Sequence, residues 1–242
     1  MENNNQYHPN IQQKLEDGYF FDIGKYLQQA LDIMKVGFLP LAFYTLIYFM
    51  LVFLLLSVQN QVVALLQMFV MPVLTAGFYF LIQKKSLGYK ADASDVMKGF
   101  SKILPLTLAN ILQSIFMTMA FGYLMIFIAK MNPQIPQFQQ MEVSPLIQNV
   151  LLFLIIPGIY FSVASVFMVL FILFGNMNVL AAMESSRLLV NKQFFKILLF
   201  LILLALFNFV GLLAFGFGLL VTIPFTFAAI YSAFKDIVSD FL

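Results

Sequence analysis

Six stretches of this chain, at roughly 37–57, 62–82, 103–129, 149–173, 197–213 and 218–236, consist almost wholly of apolar side chains, with no acidic, basic or histidine residue at depth. A run of about 20 mostly apolar residues crosses the hydrocarbon core as a helix, since a lone helix satisfies every backbone group within itself. The pattern predicts an all-α fold, a polytopic membrane bundle of six transmembrane helices. Composition agrees, because 62% hydrophobic and 10% charged residues leave too little polar surface to coat a water-soluble globule of 242 residues. Six crossings use most of the length. The expected organisation is a polar tail over 1–20 and one membrane domain over 21–242, with no cleavable signal peptide in the polar start MENNNQYHPN.

The last two stretches are the hardest to separate, since positions 197–234 contain no charged residue. Gly211, Gly216 and Gly218 offer a tight turn between them. One span plus a re-entrant piece is the alternative. Yet 17 residues at a rise of 1.5 Å cover about 26 Å, close to a full hydrocarbon core, which favours two short spans.

Twelve of the 13 lysines and arginines fall in alternate gaps. Lys14, Lys25 and Lys35 precede the first span; Lys84, Lys85, Lys90, Lys98 and Lys102 lie between the second and third. Arg187, Lys192 and Lys196 lie between the fourth and fifth, and Lys235 closes the sixth. The other gaps hold only Lys130. The positive-inside bias then predicts both termini in the cytoplasm and an even number of spans.

A weak threefold repeat underlies this order. FDIGKYLQQALDIMK places Ile23, Leu27, Ala30, Leu31 and Met34 on one helical face, with Asp22, Lys25, Gln28, Gln29, Asp32 and Lys35 largely opposite. Such a helix is expected to lie in the membrane interface. DASDVMKGFSKIL repeats the plan with Val96 and Phe100 against Asp95, Lys98 and Lys102, and AAMESSRLLVNKQFFKIL does so less cleanly. Each returning span carries a proline, Pro72, Pro157 or Pro224, expected to kink it. The reading is three hairpins, each preceded by an amphipathic interfacial helix. MNPQIPQFQQMEVSP, between the third and fourth spans, has no helical or strand periodicity and reads as an external loop.

An ionisable side chain within a span marks a functional candidate, and its absence here weighs against proton-coupled transport and intramembrane acid-base or metal catalysis. The only histidine is His8, and there are no cysteines. No catalytic, cofactor or metal residue is assigned, and no basic patch suits nucleic acid. The third span is the most polar: Thr107, Asn110, Ser114 and Thr118 recur at three- and four-residue spacing, with Gln113 beside them. Interhelical hydrogen bonding is the plain reading, and a hydrophilic groove for a lipid headgroup or a passing polypeptide the sharper one. Asn208 is a candidate for the same groove, with Gln67, Thr75, Ser162, Ser165, Thr222 and Thr226 as further options. Glu184 and Arg187 form a helical pair at the interface. Its plain reading is a solvated salt bridge, and its functional reading a phosphate or partner contact aided by Ser185, Ser186, Asn191 and Lys192.

The segments IIPGIYFSVASVFMVLFIL, MESSRLLVNKQFFKILLFLILLALFN and GFGLLVTIPFTFAAIYSAFKDI resemble those of a bacterial group of six-span integral membrane proteins. That group is similar to the membrane domain attached to some glycerophosphodiester phosphodiesterases. The resemblance extends from about Tyr19 onward and includes FFDIGKYLQQALDIMK and VMPVLTAGFYF. It implies six spans and a bacterial inner-membrane address, and brings no catalytic residues. The function expected is a non-enzymatic subunit or scaffold binding membrane lipid and other membrane proteins, such as an accessory of a protein-insertion or secretion machine. A small-molecule or lipid transporter is the alternative.

Overall fold

A computed structural model of the protein describes residues 16–58, 60–90, 92–131, 144–214 and 216–238. Most of the polar tail, with His8 and Lys14, and most of the Pro- and Gln-rich loop lie outside the described residues. Among the described residues there are no strands. The helices are α1 Ile23–Ser57, α2 Gln61–Ser86, α3 Ala93–Met97 running into a 3-10 turn over Lys98–Lys102, α4 Ile103–Met131, α5 Pro145–Ala164, α6 Met168–Phe174, α7 Val179–Lys192, α8 Phe194–Leu213 and α9 Leu219–Ile237. Six segments are long and apolar enough to cross a membrane. They make this a multi-pass integral membrane protein, an all-α bundle of three hairpins, α1/α2, α4/α5 and α8/α9.

Short polar side chains cap the starts of several of these helices. Asp22 accepts from the Lys25 N–H at 3.0 Å, Asn60 from Val62 at 2.8 Å and Asn178 from Ala181 at 2.8 Å, each meeting a donor that the first turn leaves free. The α8/α9 hairpin closes where two helices come together on glycine, since a Cβ on Gly218 would stand 2.6 Å from the Gly211 carbonyl oxygen. That approach and Gly216, at φ +79°, make two short spans out of the uncharged stretch.

The three amphipathic lead-in segments take three forms. The first is no separate interfacial helix: it forms the opening turns of α1, whose 35 residues run about 52 Å at 1.5 Å each, well beyond a bilayer core. Its buried face is Tyr26, Ala30, Ile33 and Met34, while Leu31 is 45% exposed, so the seam is rotated from the face expected. In the second, α3 and its 3-10 turn, Asp95 is 1% exposed and belongs to the interior rather than to the solvent face. Only α7 is a separate amphipathic helix of several turns.

Pro72, Pro157 and Pro224 all lie inside helices, and Pro40 interrupts the hydrogen-bond ladder of α1 in the same way. The fourth span is broken outright, α5 ending at Ala164 and α6 starting at Met168. Backbone groups freed in an apolar setting need partners. Ser186 of α7 supplies two of them, donating its hydroxyl to the Ala164 carbonyl at 2.6 Å and accepting from the Phe167 N–H at 3.1 Å. Gln113 of α4 donates to the Ser165 carbonyl at 3.4 Å. At the far end of α6, the Lys102 ammonium donates to the Ile172 and Leu173 carbonyls at 2.6 and 3.0 Å and to Asn176 Oδ1 at 2.5 Å, a cation on the negative end of the helix.

Large buried side chains gather toward the lysine-rich end. Tyr26, Phe78, Phe167, Phe171, Phe200, Tyr231 and Phe234 are fully buried there. Phe21 meets Tyr26 and Phe200 edge-on at 4.8 and 5.5 Å, and Phe78 stacks on Phe227 at 4.7 Å. Asp236 near the end of α9 pairs with Lys25 and accepts from the Tyr26 hydroxyl at 3.0 Å, fastening α9 to α1. At the other end Phe53, Phe153, Ile156 and Phe217 are each more than three-quarters exposed, a surface suited to lipid. Of the six segments α9 is the most buried and α4 the least, so α4 lies at the periphery.

Candidate functional site

The polar face of α4 borders an open groove. Asn110, Ser114 and Thr118 lie on it, with Met68 of α2 on one side and Leu151 and Leu154 of α5 on the other, around a volume of about 530 Å³. Their spacing of four residues aligns the three along one helix face. Ser114 and Thr118 turn their hydroxyls back to the Asn110 and Ser114 carbonyls, both at 2.8 Å, so those donors are already used. The Asn110 side-chain amide has no protein partner among the described residues. An amide facing an apolar groove is costly until something covers it.

The other residues expected beside this stripe are elsewhere. Thr107 is 2% exposed in the packed interior, its hydroxyl without a partner among the described residues. Gln113 points to the helix break at Ser165. Asn208 is in a different hairpin: its Nδ2 donates to the Leu204 carbonyl at 2.9 Å and to Thr226 Oγ1 of α9 at 2.7 Å, and it does not line the groove. Thr226 in turn donates to the Thr222 carbonyl, and Thr75 to the Met71 carbonyl, local bonds within their own helices.

The second candidate cluster is at the lysine-rich end of α7. Arg187 holds Glu184 in a two-pronged pair, Nε to Oε2 at 2.7 Å and Nη2 to Oε1 at 2.5 Å. Asn191 accepts from the Tyr160 hydroxyl at 3.0 Å, and Lys192 is exposed. Ser185 and Ser186 are fully buried and face inward, so they cannot line an outward clamp with Arg187. The Arg187 guanidinium holds the Glu184 carboxyl below its ordinary range. The pair's contribution is thus complete at neutral pH and is lost as pH falls through the lowered folded-state value. With both side chains about a third exposed, Glu184→Gln is expected to lower stability by about 0.5 kcal/mol or less at neutral pH. Thermal unfolding in detergent at pH 7 and pH 4 should show the difference between the two proteins shrink at the lower pH.

Ser186, Lys102 and Asp95 carry roles that sequence reasoning missed. The spacing of Asp92, Asp95 and Lys98 near a helix start was a usable signal for a capped, ion-paired turn, and the Asp92 N–H does donate to Asp95 Oδ2 at 2.9 Å. Nothing local marks Ser186, because its partners lie about twenty residues away across a helix break. Among the described residues no three His, Asp or Glu side chains are grouped as a metal ion needs.

No protein-family model matches the chain, and comparison with curated proteins and with solved structures gives no match either.

Proposed function

We propose that this integral membrane protein is a non-enzymatic subunit or scaffold that receives a helix of another membrane protein in the groove between α2, α4 and α5. The observation that carries the reading is the Asn110 amide, unpartnered on the least buried span and facing an open apolar groove. A partner's polar side chain satisfying it would contribute about 0.6 to 2 kcal/mol, enough to set register while apolar contacts around it supply area. Met68 and Met119 on the walls give surface that repacks around an irregular client. An accessory of a protein-insertion or secretion machine is the version that best uses such a groove. The address is a bacterial inner membrane, with both termini cytoplasmic on the strength of the lysine distribution.

The chain has no cysteine, so a single Ser114→Cys carrying a photo-crosslinker reports on this groove alone. One discrete crosslinked protein, absent when the probe is moved to exposed Leu199 on α8, is the expected result. Crosslinking to lipid only, or equal crosslinking from both positions, would sink the proposal.

The transporter alternative draws on one observation, the break between Ala164 of α5 and Met168 of α6. Discontinuous helices at substrate sites are a habit of transporters. Vesicles reconstituted with the protein that show neither solute flux nor lipid scrambling would remove it.

A further inference from the structure

A second cavity, of about 360 Å³, opens at the lysine-rich end between α1, α2 and α9. Gln29 and Asp32 come from α1, Ser86 from the end of α2, and Tyr231, Ser232, Lys235 and Asp236 from α9. It lies outside the groove and outside the Glu184 and Arg187 cluster, and its size suits a small polar group.

Several of its polar groups are unused by the fold. Ser232 is 3% exposed, yet its hydroxyl has no protein partner among the described residues. The same holds for the Gln29 amide and the Lys235 ammonium. Asp236 is occupied on both oxygens, by Lys25 and by the Tyr26 hydroxyl. Asp32 is engaged through Oδ1 alone, with Lys35 at 2.8 Å and Gln28 at 3.4 Å, leaving Oδ2 open. The α9 wall therefore offers two donors, the Ser232 hydroxyl and the Lys235 ammonium, and the α1 wall offers the Gln29 amide beside a carboxylate oxygen of Asp32.

That mixture selects by charge. A simple anion would meet Asp32 and Asp236, and a simple cation would meet Lys235; a group carrying both signs satisfies each wall. A quaternary ammonium has no N–H for Asp32, and one tyrosine makes no aromatic cage. We infer that this cavity binds a phosphoethanolamine group, its phosphate on Lys235, Ser232 and Gln29 and its ammonium on Asp32. The group can arrive as the headgroup of a membrane phospholipid or as a soluble ester. The ring of lysines at this end, Lys25, Lys35 and Lys84, suits the headgroup level of a bilayer.

The test is native mass spectrometry of the full chain, delipidated and then offered ethanolamine, choline or glycerol phospholipids of identical acyl chains, with and without soluble phosphoethanolamine. Retention of one ethanolamine lipid, at least fivefold over the choline lipid, is expected. Lys235→Gln and Asp32→Asn should each remove that preference, while an exposed change on the opposite end, Phe153→Leu, leaves it intact. Lys235 and Asp32 hold no helix together, so both variants are expected to melt like the parent. Displacement by the soluble ester at comparable concentration would identify the soluble source, and no displacement the lipid. Equal retention of ethanolamine and choline lipids with no binding of the ester, or a preference unchanged in both variants, overturns the inference.

Discussion

Gly158→Ala is expected to pry α4 away from α5 and cost about 3 kcal/mol, at the upper end of what overpacking does. The two helices meet backbone to backbone at this residue. A Cβ there would stand 2.3 Å from the Ala120 nitrogen, 2.6 Å from the Met119 carbonyl carbon and 2.8 Å from the Ala120 Cα. None of those atoms can swing aside as the tip of a side chain could. Gly122 lies in the same hairpin, but a Cβ there would meet only Leu151 Cδ2 and Thr118 Cγ2 at 3.6 Å, ordinary contact. Gly122→Ala should therefore be neutral or slightly stabilising, since alanine is the better helix former. Thermal unfolding of both variants in one detergent decides the matter. Equal melting temperatures would mean that the close approach of α4 and α5 is wrong. Because α5 forms one wall of the groove, Gly158→Ala should also weaken the crosslink from Ser114→Cys.

Asp95→Ala is the second large expected loss, about 3 kcal/mol. The carboxylate is buried between the Lys84 ammonium at 2.7 Å and the Lys98 ammonium at 2.9 Å, and it also holds the Asp92 N–H. Removing it leaves two cations facing each other and uncaps α3. The cost is at the low end for a broken buried pair because Lys84 and Lys98 are partly exposed, 32% and 56%, and can turn to water. Asp95→Asn keeps the shape and the acceptor but not the charge. Adding Lys84→Gln to that background should recover part of its loss, which a double-mutant cycle would measure. Limited proteolysis should cut the α2 to α4 connection faster in Asp95→Ala. Unchanged stability would show that Asp95 is solvated as an ordinary surface charge.

These two predictions come from opposite sides of what sequence reading could reach. Asp95 was visible as a charge on an amphipathic segment, but the face it turned inward was not, because a five-residue helix leaves the periodicity too short to orient. Gly158 beside Pro157 carried no signal at all, since glycines are common in membrane helices and only the Ala120 backbone across the hairpin gives this one its role. Asn110, Ser114 and Thr118 stand together as their spacing said they must. Asn208, equally polar and also within an apolar span, belongs to the α8/α9 hairpin, and nothing in its own neighbourhood could have told it apart.

The six apolar segments and the concentration of lysines in alternate gaps follow from the sequence by itself, because each depends on a segment's own transfer from water to lipid and on charge counted along one dimension. Which faces meet, where the fourth span breaks, and which polar groups end up in a groove, a cavity or the packed interior were decided only by the tertiary structure. Lipid tails are as apolar as leucine, so hydropathy cannot separate a face turned to a neighbouring helix from one turned to the bilayer. That choice is made by close contact, such as glycine against backbone at Gly158 and Gly211, and by distant partners such as Ser186 meeting Ala164 or Lys102 meeting Ile172.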